Sequence, residues 1–170
     1  MTSTPVSDVI DAVVPLTPDQ PNWALRRQRE KVLAATQGSY DAMFSPSVEG
    51  ISVTERLLVA LHACRVSKAD SLAVHYRDRL VAEGAEAAVV AAVDAGKPVA
   101  DARLQAMLAF TGKLIERPIE GDKAAVQSLA ASGLSTPAIV AMSQLIAFLS
   151  YQIRVAAGLK ALAAAPEVLA

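Results

Sequence analysis

The sequence predicts an all-α fold, and three observations carry that prediction. Apolar residues recur at helical spacing, as in Leu57, Leu58, Leu61 and Cys64, and nowhere alternate at period two over a useful length. Alanine, the best helix former, supplies much of a composition that is 53% hydrophobic and only 4% aromatic. Side chains able to cap helices, such as Ser52, Asp70 and Asp122, stand at the start of the periodic stretches.

In chain order, Pro5, Pro15, Pro18 and Pro21 punctuate the first stretch. A short helix fits between Ser7 and Val14 with Ser7 as its cap, and residues 1–20 read as an arm. Proline at the first turn opens the next helix at Pro21, which runs through Trp23, Leu25, Val32 and Leu33 until Gly38 interrupts it. Tyr40 to Phe44 forms another turn. Ser52 or Thr54 caps a helix to about Val66, and Asp70 caps one to Glu83 with Leu72, Tyr76 and Leu80 as its spine. Ala85 to Ala95 is short and ends at Gly96 and Pro98. Asp101 to Glu116 follows, then Lys123 to Ala131 capped by Asp122. Ser135 or Thr136, with Pro137, starts a long last helix to about Leu162. Residues 21–170 read as one domain, a size that supports a real core.

Composition narrows function by exclusion. Lys+Arg of 16 against Asp+Glu of 17 leaves almost no net charge, and no basic run exceeds Arg26-Arg27, which argues against nucleic acid as a partner. One cysteine allows no internal disulfide and no structural zinc cluster, and fits a reducing compartment. The N-terminus lacks the basic region and apolar stretch of a signal peptide. The longest apolar run, Leu145 to Leu149, is far short of the roughly 20 residues of a membrane span. The expectation is a soluble cytoplasmic protein with no membrane partner.

The stretch Ile51 to Leu80 reads ISVTERLLVALHACRVSKADSLAVHYRDRL. The C-terminal half contains DARLQAMLAFTGKLIERP and DKAAVQSLAASGLSTPAIVAMSQLIAFLSYQIRVAAGLK. From Tyr40 onward the chain resembles the alkylhydroperoxidase AhpD / carboxymuconolactone decarboxylase superfamily, in its peroxidase-related branch. That branch has a D-x-R-L helix, a short helix ending in A-G-L-S and a last helix ending near Y-x-N-R-x-x-x-G-L. Here Tyr151, Gln152, Ile153 and Arg154, then Gly158 and Leu159, follow it, with Ile153 in place of the Asn. The resemblance implies an AhpD-like helical bundle, homo-oligomers (dimer, trimer or hexamer) and a pocket beside the core helix pair. It also implies a Glu ahead of C-x-x-C-x-x-x-H. Anchored on His75, the cysteine positions hold Lys68 and Ser71; slid by one, they hold Ala69 and Leu72. The Glu falls on Leu57 or Arg56. No register restores a dithiol.

Each candidate side chain has a plainer structural role beside its chemical one. Cys64, the only thiol, is either a small buried hydrophobe or the centre of a one-cysteine peroxidase cycle. Ser71, His75 and Asp78 share a helical face, which is either a triad or a solvated surface. His75 is either a proton carrier in a pocket or a helix-packing histidine. Glu55, His62 and His75 bind a metal only if their helices meet, and no ligand spacing supports one. Arg154 interrupts the most apolar helix as an anion clamp or an ion-pair partner, and Tyr151 and Gln144 share that alternative as substrate-binding residues.

The favoured expectation is a dithiol-less AhpD-like protein with a pocket for a small-molecule substrate and acid–base chemistry through His75. The alternatives are a peroxide-reducing enzyme using Cys64 and a non-enzymatic binding or assembly partner. Neither a cofactor nor a metal is expected.

Overall fold

The computed structural model describes residues 8–165. Nine α-helices and no strand occur among them. They are α1 (Val9–Val13), α2 (Pro21–Arg27), α3 (Glu30–Met43), α4 (Val53–Val66), α5 (Asp70–Ala82), α6 (Ala87–Asp94), α7 (Ala102–Glu116), α8 (Lys123–Ala131) and α9 (Thr136–Ala163). A single 3-10 turn, Pro118–Glu120, follows α7.

Helix α4 is the centre of the bundle, packed against α5, α6, α7 and α9. Leu57, Val59, Ala60, Leu61, Ala63 and Cys64 are wholly buried in it, so it is apolar nearly all round, as a core helix must be. Its start is fixed by a capping box: Ser52 Oγ accepts from the Glu55 N–H, and the Glu55 carboxylate accepts from the Ser52 N–H. Its end is fixed by Lys68, whose φ of 55° lies in the left-handed region; there the Ala69 N–H reaches back to the Cys64 carbonyl. That turn reverses the chain into α5.

Helix boundaries differ from the sequence reading in three places. The break after Pro21 falls at Gln28 and Arg29, and α3 runs straight through Gly38. A glycine costs a helix only about 1 kcal/mol, and the burial of Thr36, Tyr40 and Phe44 outweighs that. Helix α1 is capped by the Asp8 carboxylate on the Asp11 N–H, while Ser7 lies outside the described residues. On α5, Asp70 is the first helical residue rather than the cap.

Helix α1 lies on the bundle, burying Ile10 and Val13 against α5 and α9. Asp8 and Asp11 are buried with it and are neutralised by Arg26 and Arg27 of α2. This answers the usual objection to buried carboxylates, which must be paired.

Helix α9 is long and apolar enough to cross a membrane by length and composition. In the fold its Met142, Leu145, Leu149 and Gln152 pack into the bundle. The opposite stripe, Val140, Gln144, Ala147, Tyr151, Arg154 and Gly158, is exposed in the single chain. The apolar residues Leu145, Ile146, Phe148, Leu149, Ile153 and Val155 surround the axis, a pattern that predicts burial on most faces, partly by another subunit; within one chain, Ile153 and Val155 are half-buried and one face stays open.

Candidate functional site

The helix pair singled out by the sequence is packed solid along the face that carries Cys64. Leu57, Cys64, Leu72 and Tyr76 meet between α4 and α5, each at most 1% exposed. Tyr76 donates its hydroxyl hydrogen to the buried Gln152 amide of α9, so the one polar tip in this core is satisfied. Burial pushes the Cys64 thiol up to about 12, against a small opposing effect of Arg65. A thiol of that kind is protonated at neutral pH and is not a nucleophile. Of the positions aligned with the two cysteines, Lys68 is exposed, Ser71 accepts a hydrogen bond from Lys160, Ala69 is half-buried and Leu72 is core.

His75 sits one residue along from this core, half-buried, on the side of α5 that faces α3. Its Nε2 lies 2.6 Å from the Tyr40 hydroxyl, and that oxygen accepts from Arg79 Nη1 at 2.8 Å. Tyr40 has a single proton. With the guanidinium donating to its oxygen, the arrangement that pairs that proton is a neutral imidazole accepting at Nε2 and carrying its hydrogen on Nδ1. The electrostatics agree. Burial, then the Arg79 charge, lowers the His75 pKa below its ordinary value, and Asp78 only partly offsets them. Arg79 in turn lies over the Tyr40 and Phe44 rings and makes no ion pair among the described residues.

A second arginine stands behind this group. Arg56 is 1% exposed, and its guanidinium donates to the carbonyls of Met43, Ser45 and Ser52. It closes the end of α3 with side-chain hydrogen bonds in place of water. Glu55, the carboxylate nearest the expected general-base position, turns the other way and holds Arg103 at 2.7 Å. Burial alone would raise the Glu55 pKa, but the bonds from Arg103 and Ser52 outweigh it and the net shift is downward.

The remaining candidates are dispersed. The Ser71 hydroxyl is taken by Lys160 and His75 by Tyr40, and Asp78 is exposed. Glu55, His62 and His75 do not come together. Arg154 and Gln144 are exposed on α9. Cys64, His75 and Arg154 therefore do not line one cavity. Tyr151 bonds to Thr36 Oγ1 at 2.9 Å and borders two concavities. One is an apolar trough of about 440 Å³ between α3 and α9 with Lys31, Ala35 and Phe148; the other is a smaller hollow with Leu25, Leu33 and Val155. A third, shallow concavity lies at the α2–α3 turn.

The fourth concavity was not anticipated. It is a cleft of about 310 Å³ between α4, the α6–α7 turn and α7. Val66, Val93 and Leu108 form its apolar part, His62 its floor, and Lys97, Lys113 and Glu116 its charged rim. Gly112 sits inside α7, where glycine costs about 1 kcal/mol relative to alanine. A Cβ there would meet only His62 Nε2, at 3.6 Å. The ring also has the Leu108 backbone as a partner, and burial lowers the His62 pKa below its ordinary value against the opposing effects of Glu116 and that bond. A glycine inside an otherwise strong helical pattern was the one sequence signal that pointed here.

No family model and no curated protein matches this chain. Among solved structures, an uncharacterized peroxidase-related protein from Silicibacter sp. TM1040 matches with a TM-score of 0.68 over 93% of each chain, at 17% identity. The class defined at this level is an all-α bundle with the fold of that peroxidase-related protein.

Proposed function

We propose that the protein is a dithiol-less member of the alkylhydroperoxidase AhpD / carboxymuconolactone decarboxylase superfamily that transfers protons on a small-molecule substrate, with His75 as proton carrier. The observation that carries the reading is the Arg79–Tyr40–His75 chain. It keeps a half-buried imidazole neutral, the form that accepts a proton near neutral pH. Tyr40 is the relay: its oxygen takes the substrate proton as its own hydrogen passes to His75 Nε2, and the reverse step returns it, although burial raises the Tyr40 pKa against the lowering effect of Arg79. The shared fold supports the family, and the filled core around Cys64 weighs against thiol chemistry. The reading includes a cytoplasmic homo-oligomer, supported by the open face of α9. The test is a panel of carboxylated lactones and β-keto acids assayed for decarboxylation or for deuterium exchange in heavy water. Turnover that falls by about 100-fold or more in His75→Gln supports the reading. Turnover unchanged in that variant refutes it.

A second reading, a non-enzymatic binding or assembly partner, is favoured by one observation. His75 lines none of the four concavities described above, and its Nε2 is already engaged by Tyr40. On that reading His75→Gln lowers stability and leaves no activity to lose.

A further inference from the structure

The His62 cleft lies on the α7 side of α4, away from the Tyr40–His75 group on the α3 side, and nothing above gives it a role. Three features set it apart from an ordinary surface dent. It holds an imidazole, His62, with the Leu108 backbone as its partner and with Gly112 placing no side chain against Nε2. Its walls are apolar, with Val93 and Leu108 from two different helices. Its rim carries Lys97 and Lys113, neither of which makes an ion pair among the described residues, while Arg117 at the edge is neutralised by Glu120. Glu116 is the single opposing charge. The rim is also held in place. Gly96, at φ +66°, reverses the chain after α6, the Lys97 N–H bonds back to the Ala92 carbonyl, and Gln105 accepts from the Val99 N–H.

We infer that this cleft binds a small organic monocarboxylate with an apolar body. The carboxylate sits between the Lys97 and Lys113 ammonium groups, and the body lies on Val66, Val93 and Leu108. His62 meets a polar atom of the ligand from below. The volume of about 310 Å³ is at the lower end of small-molecule sites, which suits a small ligand better than a nucleotide or a long acyl chain. Two lysines and no arginine fork at the carboxylate position give charge attraction without bidentate geometry, so affinity is modest.

The experiment is a titration of the full chain with benzoate and with hexanoate, followed by amide and imidazole NMR shifts. Benzamide and inorganic phosphate are the controls. Saturable binding with a Kd of the order of 1 mM or tighter is expected for the carboxylates, with shifts confined to α4, the α6–α7 turn and α7. Benzamide and phosphate are each expected to bind about tenfold more weakly or worse, since one lacks the charge and the other the apolar body. Lys97→Gln with Lys113→Gln removes binding, and Glu116→Gln tightens it. Gly112→Ala is the variant that separates the site from the fold. It raises the melting temperature by roughly 2–4 °C through helix propensity, while its methyl covers Nε2 and weakens benzoate about fivefold or more. Equal binding of benzoate and benzamide would overturn the inference. So would shifts mapping elsewhere, phosphate matching benzoate, no saturation by either carboxylate, or a stabilised Gly112→Ala that binds like the parent.

Discussion

Cys64 and the two histidines show how burial, rather than residue type, decides chemistry. The thiol is sealed between Leu57, Leu61 and Tyr76 and raised to about 12, so it should resist alkylation until the chain unfolds. Cys64→Ser should destabilise more than Cys64→Ala, by up to about 1 kcal/mol, because it desolvates a hydroxyl whose partner is the helix's own i−4 carbonyl, as Thr111 uses, while a methyl leaves only a small void. Denaturant midpoints of the two variants decide this. His62 and His75 make a second residue-scale prediction. Both have folded pKa values below the ordinary one, chiefly through burial. Between those folded values and the unfolded value near 6.5, the unfolded chain binds more protons, so stability rises with pH across that window and is fully present above it. Asp94 and Glu55 are lowered too, each against the effect of burial, but they act in the more acidic carboxylate range. Unfolding free energy measured near pH 5.5 and near 7.5 should therefore increase, and replacing both histidines with Gln should flatten the change. A fall in stability over that interval would contradict the buried, neutral imidazoles.

Helix existence was largely legible in the sequence, because periodicity and caps are local. Asp122 ahead of Lys123–Ala131 and Ser52 ahead of α4 are cases where one side chain settles a boundary. The errors came where tertiary contacts override local preference: Gly38 is carried through by the packing of Tyr40 and Phe44, and the α2–α3 break follows the pull of Arg26 and Arg27 onto Asp8 and Asp11. The site was less legible. His75 could be flagged from its motif, but Tyr40 is 35 positions away and no local rule pairs them. Arg79 lies one turn beyond His75 and was available to a reading by helical face. Arg56 stood in an apolar stretch as an anomaly whose partners, the carbonyls ending α3, cannot be seen without the fold. At the element scale, Lys68 pays a left-handed penalty to close α4. Lys68→Gly should raise stability by about 0.5–1 kcal/mol, read by thermal or chemical denaturation. Loss of stability would mean that the turn is not strained.

At the scale of the whole molecule, the bundle buries one face of α9 and leaves a stripe whose spacing from Val140 through Gln144, Ala147, Tyr151 and Arg154 to Gly158 alternates four and three residues. That is the spacing of a helix–helix seam, and it supports the homo-oligomer in the proposed function. Sedimentation should give a mass of at least twice the 17.7 kDa chain, and Ala147→Glu should reduce it to the monomer; a monomeric parent would remove the assembly from the account. The bundle also frames the proposed dithiol-less reading, because Cys64, the one cysteine of the chain, is sealed in its core. Leu57, Leu72 and Tyr76 fill the core together with Cys64, and that thiol is protonated. The most direct test is steady-state reduction of cumene hydroperoxide with dithiothreitol as electron donor. The account predicts a rate no greater than the reductant alone gives. Sustained enzymatic turnover that disappears in Cys64→Ser would contradict it.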